Sequence, residues 1–180
     1  MLESIGYRLR RLELKDLPKK VEWVNNKEIN ETLLFDYPIS LSETEEWYKR
    51  TYFNRTRWDF VIEDIVSESV IGMTGLINVN MRHRNAQLFI TIGERGYWNK
   101  GIAKKAIPDV LRFAFAELGL EKVYLYTLAN NIKARALYEK VGFYQEALKS
   151  KEYFIHGKLN DLYHHAFDRE SFVKKYGDGR

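Results

Sequence analysis

The chain has 180 residues, 45% of them hydrophobic and 14% aromatic, which is enough for one substantial core and short for two. Its 29 Lys and Arg are spread among 25 Asp and Glu, for a formal net charge of +4. That excess suits an anionic ligand but forms no basic block of the kind that binds nucleic acid. Cysteine is absent, which excludes disulfides, thiolate metal sites and a protein thiol nucleophile.

The first residues, MLESIGYRLRRLELKD, show no apolar stretch behind a basic start, and no run of about 18 apolar residues follows anywhere. A soluble, cytoplasmic protein with no membrane partner is expected. Residues 7–13 alternate imperfectly as a strand, and Val21, Trp23 and Val24 fall in a segment better read as helix. Ser42 and Glu45 have capping-box spacing, so a helix is expected from Glu43 to about Tyr52.

Three β-rich stretches come next, at 58–63, 70–79 and 86–92, joined by polar turns as an antiparallel meander. The second half alternates: a glycine-containing loop at 94–101, a helix through Leu118, a strand at 122–128 and a helix after Asn131. A hairpin of strands 144–155 and 159–167, turning at His156 and Gly157, closes the chain. This order predicts a single α/β (α+β) domain over residues 1–180: a mixed, mostly antiparallel sheet with a central parallel pair, flanked by helices. Pro108 lies inside a predicted helix, where it removes a hydrogen bond and predicts a kink or a loose first turn.

No metal site is expected. His83 stands alone, His156 falls in a turn, and His164 and His165 are adjacent on a strand, where only one of the two can face a given site.

Two segments carry chemistry. After the strand ending near Ile92 the chain reads GERGYWNKGIAKKAI and enters a helix. Strand, glycine loop and helix N-terminus bring free backbone N–H groups and the positive end of the helix dipole onto one anion, and a pyrophosphate fits that description. A side chain at Gly101 would fill the space the anion needs, while Lys100, Lys104 and Lys105 add positive charge. The second segment is NIKARALYEKVGF, residues 131–143. Its seven-residue spacing puts Asn131 and Tyr138 on one helix face, within roughly 20° of each other. Gly142 reads as the helix stop.

These motifs resemble the GCN5-related N-acetyltransferases. The superfamily's pyrophosphate loop, Q/R-x-x-G-x-G/A, aligns with Trp98, Asn99, Lys100, Gly101, Ile102 and Ala103. IGERGYWNKGIAKKA is similar to the IGE-x-x-YWGKGYATEA of the branch containing ribosomal-protein N-terminal and spermidine acetyltransferases. Asn99 replaces a Gly of that pattern, and Lys104 and Lys105 replace Thr and Glu. YRLRRLELKDL, WVNNKEI, VIGMTGL and NNIKARALYEKVGF look like the same branch, so the resemblance spans nearly the whole chain.

The resemblance implies acetyl-CoA as acetyl donor, with its pantetheine arm held by backbone groups around Ile90 and Ile92 and its pyrophosphate by the loop. It implies Tyr138 as general acid toward the departing thiolate and Asn131 as a cofactor-positioning residue, against the simpler reading of Asn131 as a helix cap. The base is open among Glu94, Glu31, Asp36 and an ordered water. The acceptor mouth is expected near residues 35–41, the loop 80–85 and the hairpin at Gly157, with Trp23, Phe35, Tyr37 and Trp58 as pocket or core.

Expected partners are acetyl-CoA and an amine acceptor, either a protein N-terminus or a small amine, with a second copy of the chain as a further candidate. Net basicity argues against a polyamine acceptor. The competing readings are a non-catalytic acyl-CoA-binding regulatory protein and an RNA- or ribosome-binding module built on Arg8, Arg10, Arg11, Arg82 and Arg84; the second lacks a stacking motif.

Overall fold

The structure is a computed structural model that describes residues 2–4, 6–31, 38–155 and 157–177. The expectations for Phe35, Asp36, Tyr37 and His156 lie outside the described residues. Strands β1 (Leu2–Ser4), β2 (Tyr7–Arg11), β3 (Trp58–Asp64), β4 (Val70–Asn80), β5 (Asn85–Ile92), β6 (Lys122–Leu128), β7 (Tyr144–Ile155) and β8 (Lys158–Asp168) hydrogen-bond in the order β1-β2-β3-β4-β5-β6-β8-β7. The pairs β1 with β2, β2 with β3, β6 with β8 and β7 with β8 are antiparallel, and β5 with β6 is parallel. A mixed sheet containing a parallel pair is therefore as the order of elements predicts. Helices are α1 (Leu17–Asn25), α2 (Lys27–Asn30), α3 (Leu41–Thr51), α4 (Ile102–Arg112), α5 (Ile132–Val141) and α6 (Arg169–Tyr176).

The chain forms two compact units, Met1–Gly75 with Ile90–Ala106, and Leu76–Phe89 with Ile107–Arg180. In the first, Tyr7, Leu9, Leu17, Ile62 and Ile71 are essentially inaccessible and Trp23 is buried beside them. The basic face of β2 is neutralised from within. Arg10 makes a two-pronged pair with Asp16 at 2.8 Å through both terminal nitrogens, and its Nε reaches Glu63 at 2.5 Å. Arg8 holds the other Glu63 oxygen, and Arg11 stacks 4.7 Å over Trp58. Arg8 and Arg10 are thus committed to acidic partners, while Arg11 stays exposed.

α3 begins two residues earlier than the Ser42 and Glu45 spacing suggests. Ser40 is the cap: its hydroxyl accepts from the Glu43 amide at 3.1 Å, and the Glu43 carboxylate accepts from the Ser40 amide at 2.9 Å. Both serines satisfy S-x-x-E, and Ser40, whose own backbone is extended at φ -97° and ψ 160°, closes the box.

In the second unit, Phe115, Phe143, Phe167 and Phe172 form a ring cluster with centroid separations of 5.2–6.1 Å. Gly142, at φ +124°, ends α5 here, and a β-carbon on it would meet Phe167 at 2.8 Å. The Gly142 and Phe143 amides both donate to the Tyr138 carbonyl, as a glycine-terminated helix requires. α4 runs unbroken through Pro108, and the Lys105 amide closes the first turn onto Gly101 at 3.2 Å. The irregularity falls later, as a π-helical turn at Phe113–Glu117. No helix among the described residues is long and apolar enough to cross a membrane.

Candidate active site

The parallel ladder between β5 and β6 covers Asn85, Ala86 and Gln87 against Lys122, Val123 and Tyr124, and ends there, although β5 runs on to Ile92 and β6 to Leu128. Past Ile92 the backbone turns sharply. The Gly93 and Glu94 amides both donate to the Ile71 carbonyl, at 3.0 and 3.1 Å. Gly93 has to be glycine, because a β-carbon would lie 2.1 Å from the Trp23 indole. Trp23 is thus a core residue packed flat on this turn, and its Nε1 donates to Glu94 Oε1 at 3.3 Å.

A short 3-10 turn, Arg95–Tyr97, leads into the predicted anion loop. Trp98 donates its indole N–H to the Ile92 carbonyl at 2.8 Å, so its polar atom ties the loop to the end of β5. Asn99 and Gly101 take left-handed backbone at φ +60° and +77°. Asn is among the few side chains that tolerate this region, which explains how it replaces the glycine of the related pattern. At Gly101 a β-carbon would meet no atom of the protein within 4 Å and would project into open space. Because the first helical bond runs from Lys105 to Gly101, the Ile102, Ala103 and Lys104 amides are the orphan donors of α4. Ile90, Ile92 and the six loop residues Trp98 to Ala103 accordingly lie on one strand-loop-helix connection, with exposed Lys100, Lys104 and Lys105 around it. Such a donor set suits a pyrophosphate.

Glu94 has a partner that sequence spacing could not reveal. Lys19 Nζ lies 2.9 Å from Glu94 Oε1 and 3.1 Å from Glu22. The Lys19 hydrogen bond holds the Glu94 carboxyl below its ordinary range, with the Trp23 N–H acting in the same direction against partial burial. Glu31 is exposed at the end of α2.

In the second unit, Asn131 stands one residue before α5 as its N-cap, with Oδ1 accepting from the Ala134 amide at 3.1 Å. Because Asn131 is outside the helix, the two-turn spacing does not by itself align its side chain with Tyr138. Tyr138 lies among aromatic rings, 5.9 Å from Phe143 and 6.0 Å from His165, and burial pushes its phenol up to about 12. The two adjacent histidines do face opposite ways. His164 sits between Tyr124 and Tyr126 with Nδ1 at 2.9 Å from Glu146, and His165 is fully buried beside Tyr138. Sequence reasoning missed Lys19 and the inward role of His165; strand alternation carried the signal for one inward histidine but not for which. Among the described residues no cluster of His, Asp or Glu could hold a metal.

Residues 7–144 match the family described as Acetyltransferase (GNAT) domain. Spermidine N(1)-acetyltransferase of Vibrio cholerae is 35% identical over 155 residues, 86% of this chain and 88% of its own. The Escherichia coli K12 enzyme of the same name is 30% identical over 162 residues, 89% and 85% of the two chains. The crystal structure of the Vibrio cholerae enzyme in complex with CoA and spermine superposes with a TM-score of 0.89 at 32% identity, covering 94% of this chain and 99% of that one. The chain therefore belongs to the GNAT acetyltransferase family, as an acetyl-CoA-dependent N-acetyltransferase.

Proposed function

We propose that this enzyme acetylates a small polycationic amine of the polyamine class. The observation that carries the reading is local charge: between Glu22 and Glu46 the sequence holds seven carboxylates and a single lysine, and although Lys19, Arg95 and Lys49 pair with Glu22, Glu28 and Glu46, the stretch stays net acidic in a chain that is net basic. Net charge governs long-range behaviour, whereas a short acidic stretch sets the potential where a cation binds. The full-length similarity to two enzymes named spermidine N(1)-acetyltransferase supports the same class. Overall basicity therefore does not oppose a polyamine acceptor, because the charge near this stretch is acidic.

Acetyl-CoA supplies the acyl group as a thioester. The Trp98 to Ala103 loop and the orphan amides of α4 bind its pyrophosphate, and backbone groups near Ile90 and Ile92 align its arm. Asn131 fixes the start of α5 with Oδ1, leaving its amide nitrogen to contact the donor. Tyr138, kept protonated at all ordinary pH values by burial, gives its proton to the departing thiolate. Glu94 receives the amine's proton through water; its low basicity beside Lys19 makes it a holder of the water chain more than a strong base. Amine and thioester react directly, because the chain has no cysteine to carry the acetyl group.

The test is thiol release from acetyl-CoA with spermidine, spermine, an amino sugar and a peptide with a free N-terminus, each product confirmed by mass. Turnover of the polyamines with kcat/KM at least tenfold above the other two is expected. Preference for the peptide would overturn the acceptor class, and no acetyl transfer to any primary amine would favour a binding protein.

A further inference from the structure

Four buried polar atoms in the second unit lack a hydrogen-bond partner among the described residues: Thr127 Oγ1, Arg135 Nε and both ring nitrogens of His165. They belong to one layer. Thr127 lies opposite Tyr163 across β6 and β8, and His165 lies opposite Leu125 on the same face. The Arg135 guanidinium stacks 4.1 Å over Tyr163, with Nη1 donating to the Ala129 carbonyl at 3.2 Å. The His165 ring is 6.1 Å from Tyr163 and 6.0 Å from Tyr138, tilted to both. Tyr138 is half-buried beside this layer, and its raised value comes from burial with no hydrogen bond contributing.

Unpaired buried polar atoms are rare, and several together mark a place where water or a reacting group completes the set. A buried water needs about two to four polar partners, which this layer supplies. The aromatic neighbours make an imidazole a poor choice for packing alone, since a phenyl ring would fill the space without two desolvated nitrogens.

We propose that His165 is a positioning residue for Tyr138, holding a water between its ring and the phenol through which Tyr138 recovers its proton after each turnover. The inference rests on Tyr138 being the proton donor. The Tyr138 O–H bond breaks as the S–H bond of CoA forms. The held water then protonates the phenolate and is itself reprotonated from solvent-linked water, while the neutral His165 ring, hydrogen-bonded to that water, keeps its own proton and tautomer. The proton that the attacking amine releases to solvent offsets the one drawn from it.

This requires a neutral imidazole. The groups facing it are Tyr138, Arg135 and Glu139 on α5, Tyr163 on β8, Thr127 and Leu125 on β6, and Gln145 opposite it on β7, while His164 on the other face of β8 acts through its charge alone. Burial lowers its pKa below the ordinary 6.5, opposed by Glu139 and assisted by Arg135 and His164. His165 is therefore neutral at pH 7, and the relay fails only as pH drops well below that.

Two measurements decide it. In side-chain nitrogen NMR, assigned with His165→Gln, Tyr138→Phe should shift the His165 ring signals and its titration midpoint; unchanged signals would overturn the proposal whether or not an acceptor is known. In turnover with spermidine and acetyl-CoA, His165→Phe should lower kcat roughly tenfold with both KM values unchanged. His165→Gln should restore part of that rate while losing the wild-type acidic limb of kcat. If Tyr138→Phe is impaired but His165→Phe is normal, the relay alone is wrong; if Tyr138→Phe has normal kcat, the Tyr138 assignment itself falls.

Discussion

Lys19 Nζ lies 2.9 Å from Glu94 Oε1 and so joins α1 to the turn beyond β5 across 75 residues of sequence. The same carboxylate oxygen accepts the Trp23 N–H, and the Trp23 ring leaves no room for a side chain at Gly93. Core packing and a candidate catalytic carboxylate are thus one construction.

Lys19→Met should therefore change Glu94 before it changes anything else. Glu94 is held below its ordinary 4.5 by Lys19, so a rate that needs its carboxylate is present above that range and lost as pH falls through the folded value. Removing Lys19 raises the folded value, and the acidic limb of kcat/KM should move to higher pH. An unmoved limb, or its survival in Glu94→Gln, assigns the base elsewhere, with Glu31 or Asp36 next.

Gly93→Ala tests the packing half. The new methyl would sit 2.1 Å from the Trp23 ring, and overpacking of this kind costs about 1–3 kcal/mol. Urea denaturation should show a lower midpoint with an unchanged slope. Because Trp23 also donates to Glu94, catalysis should fall along with stability; a variant of wild-type stability would mean that the turn relaxes freely.

Much of this was legible in the sequence where the determinants are local. The anion loop and α5 depend on contiguous residues, and Gly142 marks the end of α5 through its own backbone angle. Ser40 was hidden because Ser42 offers the same spacing to a glutamate. Asn131 reads from the sequence both as a member of the helix face and as the helix cap, and its bond from the Ala134 amide makes it the cap, one residue outside. Lys19 with Glu94, Arg10 with Glu63 and Asp16, and His165 beneath Tyr138 are products of tertiary packing. No spacing rule along the chain encodes them.

Gly101→Glu should abolish acetyl-CoA binding. The glycine's φ of +77° is strained for any other residue, and a side chain there would enter the open space proposed for the pyrophosphate, carrying like charge. Calorimetry on the folded variant is the measurement, with Gly101→Ala as a smaller step expected to weaken binding partially. Unchanged affinity in Gly101→Glu would remove the loop from the donor site.

Tyr138 gives the most specific expectation, because its two candidate roles separate by pH. As general acid, its removal in Tyr138→Phe should lower kcat by about 10² to 10⁴ while acetyl-CoA affinity stays close to wild type. A packing role predicts the reverse, with stability affected and kcat nearly intact. The phenol must be protonated to act, and burial raises it from 10.0 to about 12, so the sign is fixed: the active form persists as pH rises past the ordinary phenol range. Wild-type kcat at saturating substrates should stay level between pH 8 and pH 10.5, where an unperturbed phenol near 10.0 would already be mostly ionised. Bisubstrate initial rates in the same window should give intersecting lines, since amine and thioester must be bound together for direct transfer. A fall in kcat near pH 10 that disappears in Tyr138→Phe would keep the assignment but refute the buried environment. Parallel lines with an acetylated enzyme in the mass spectrum would refute direct transfer itself.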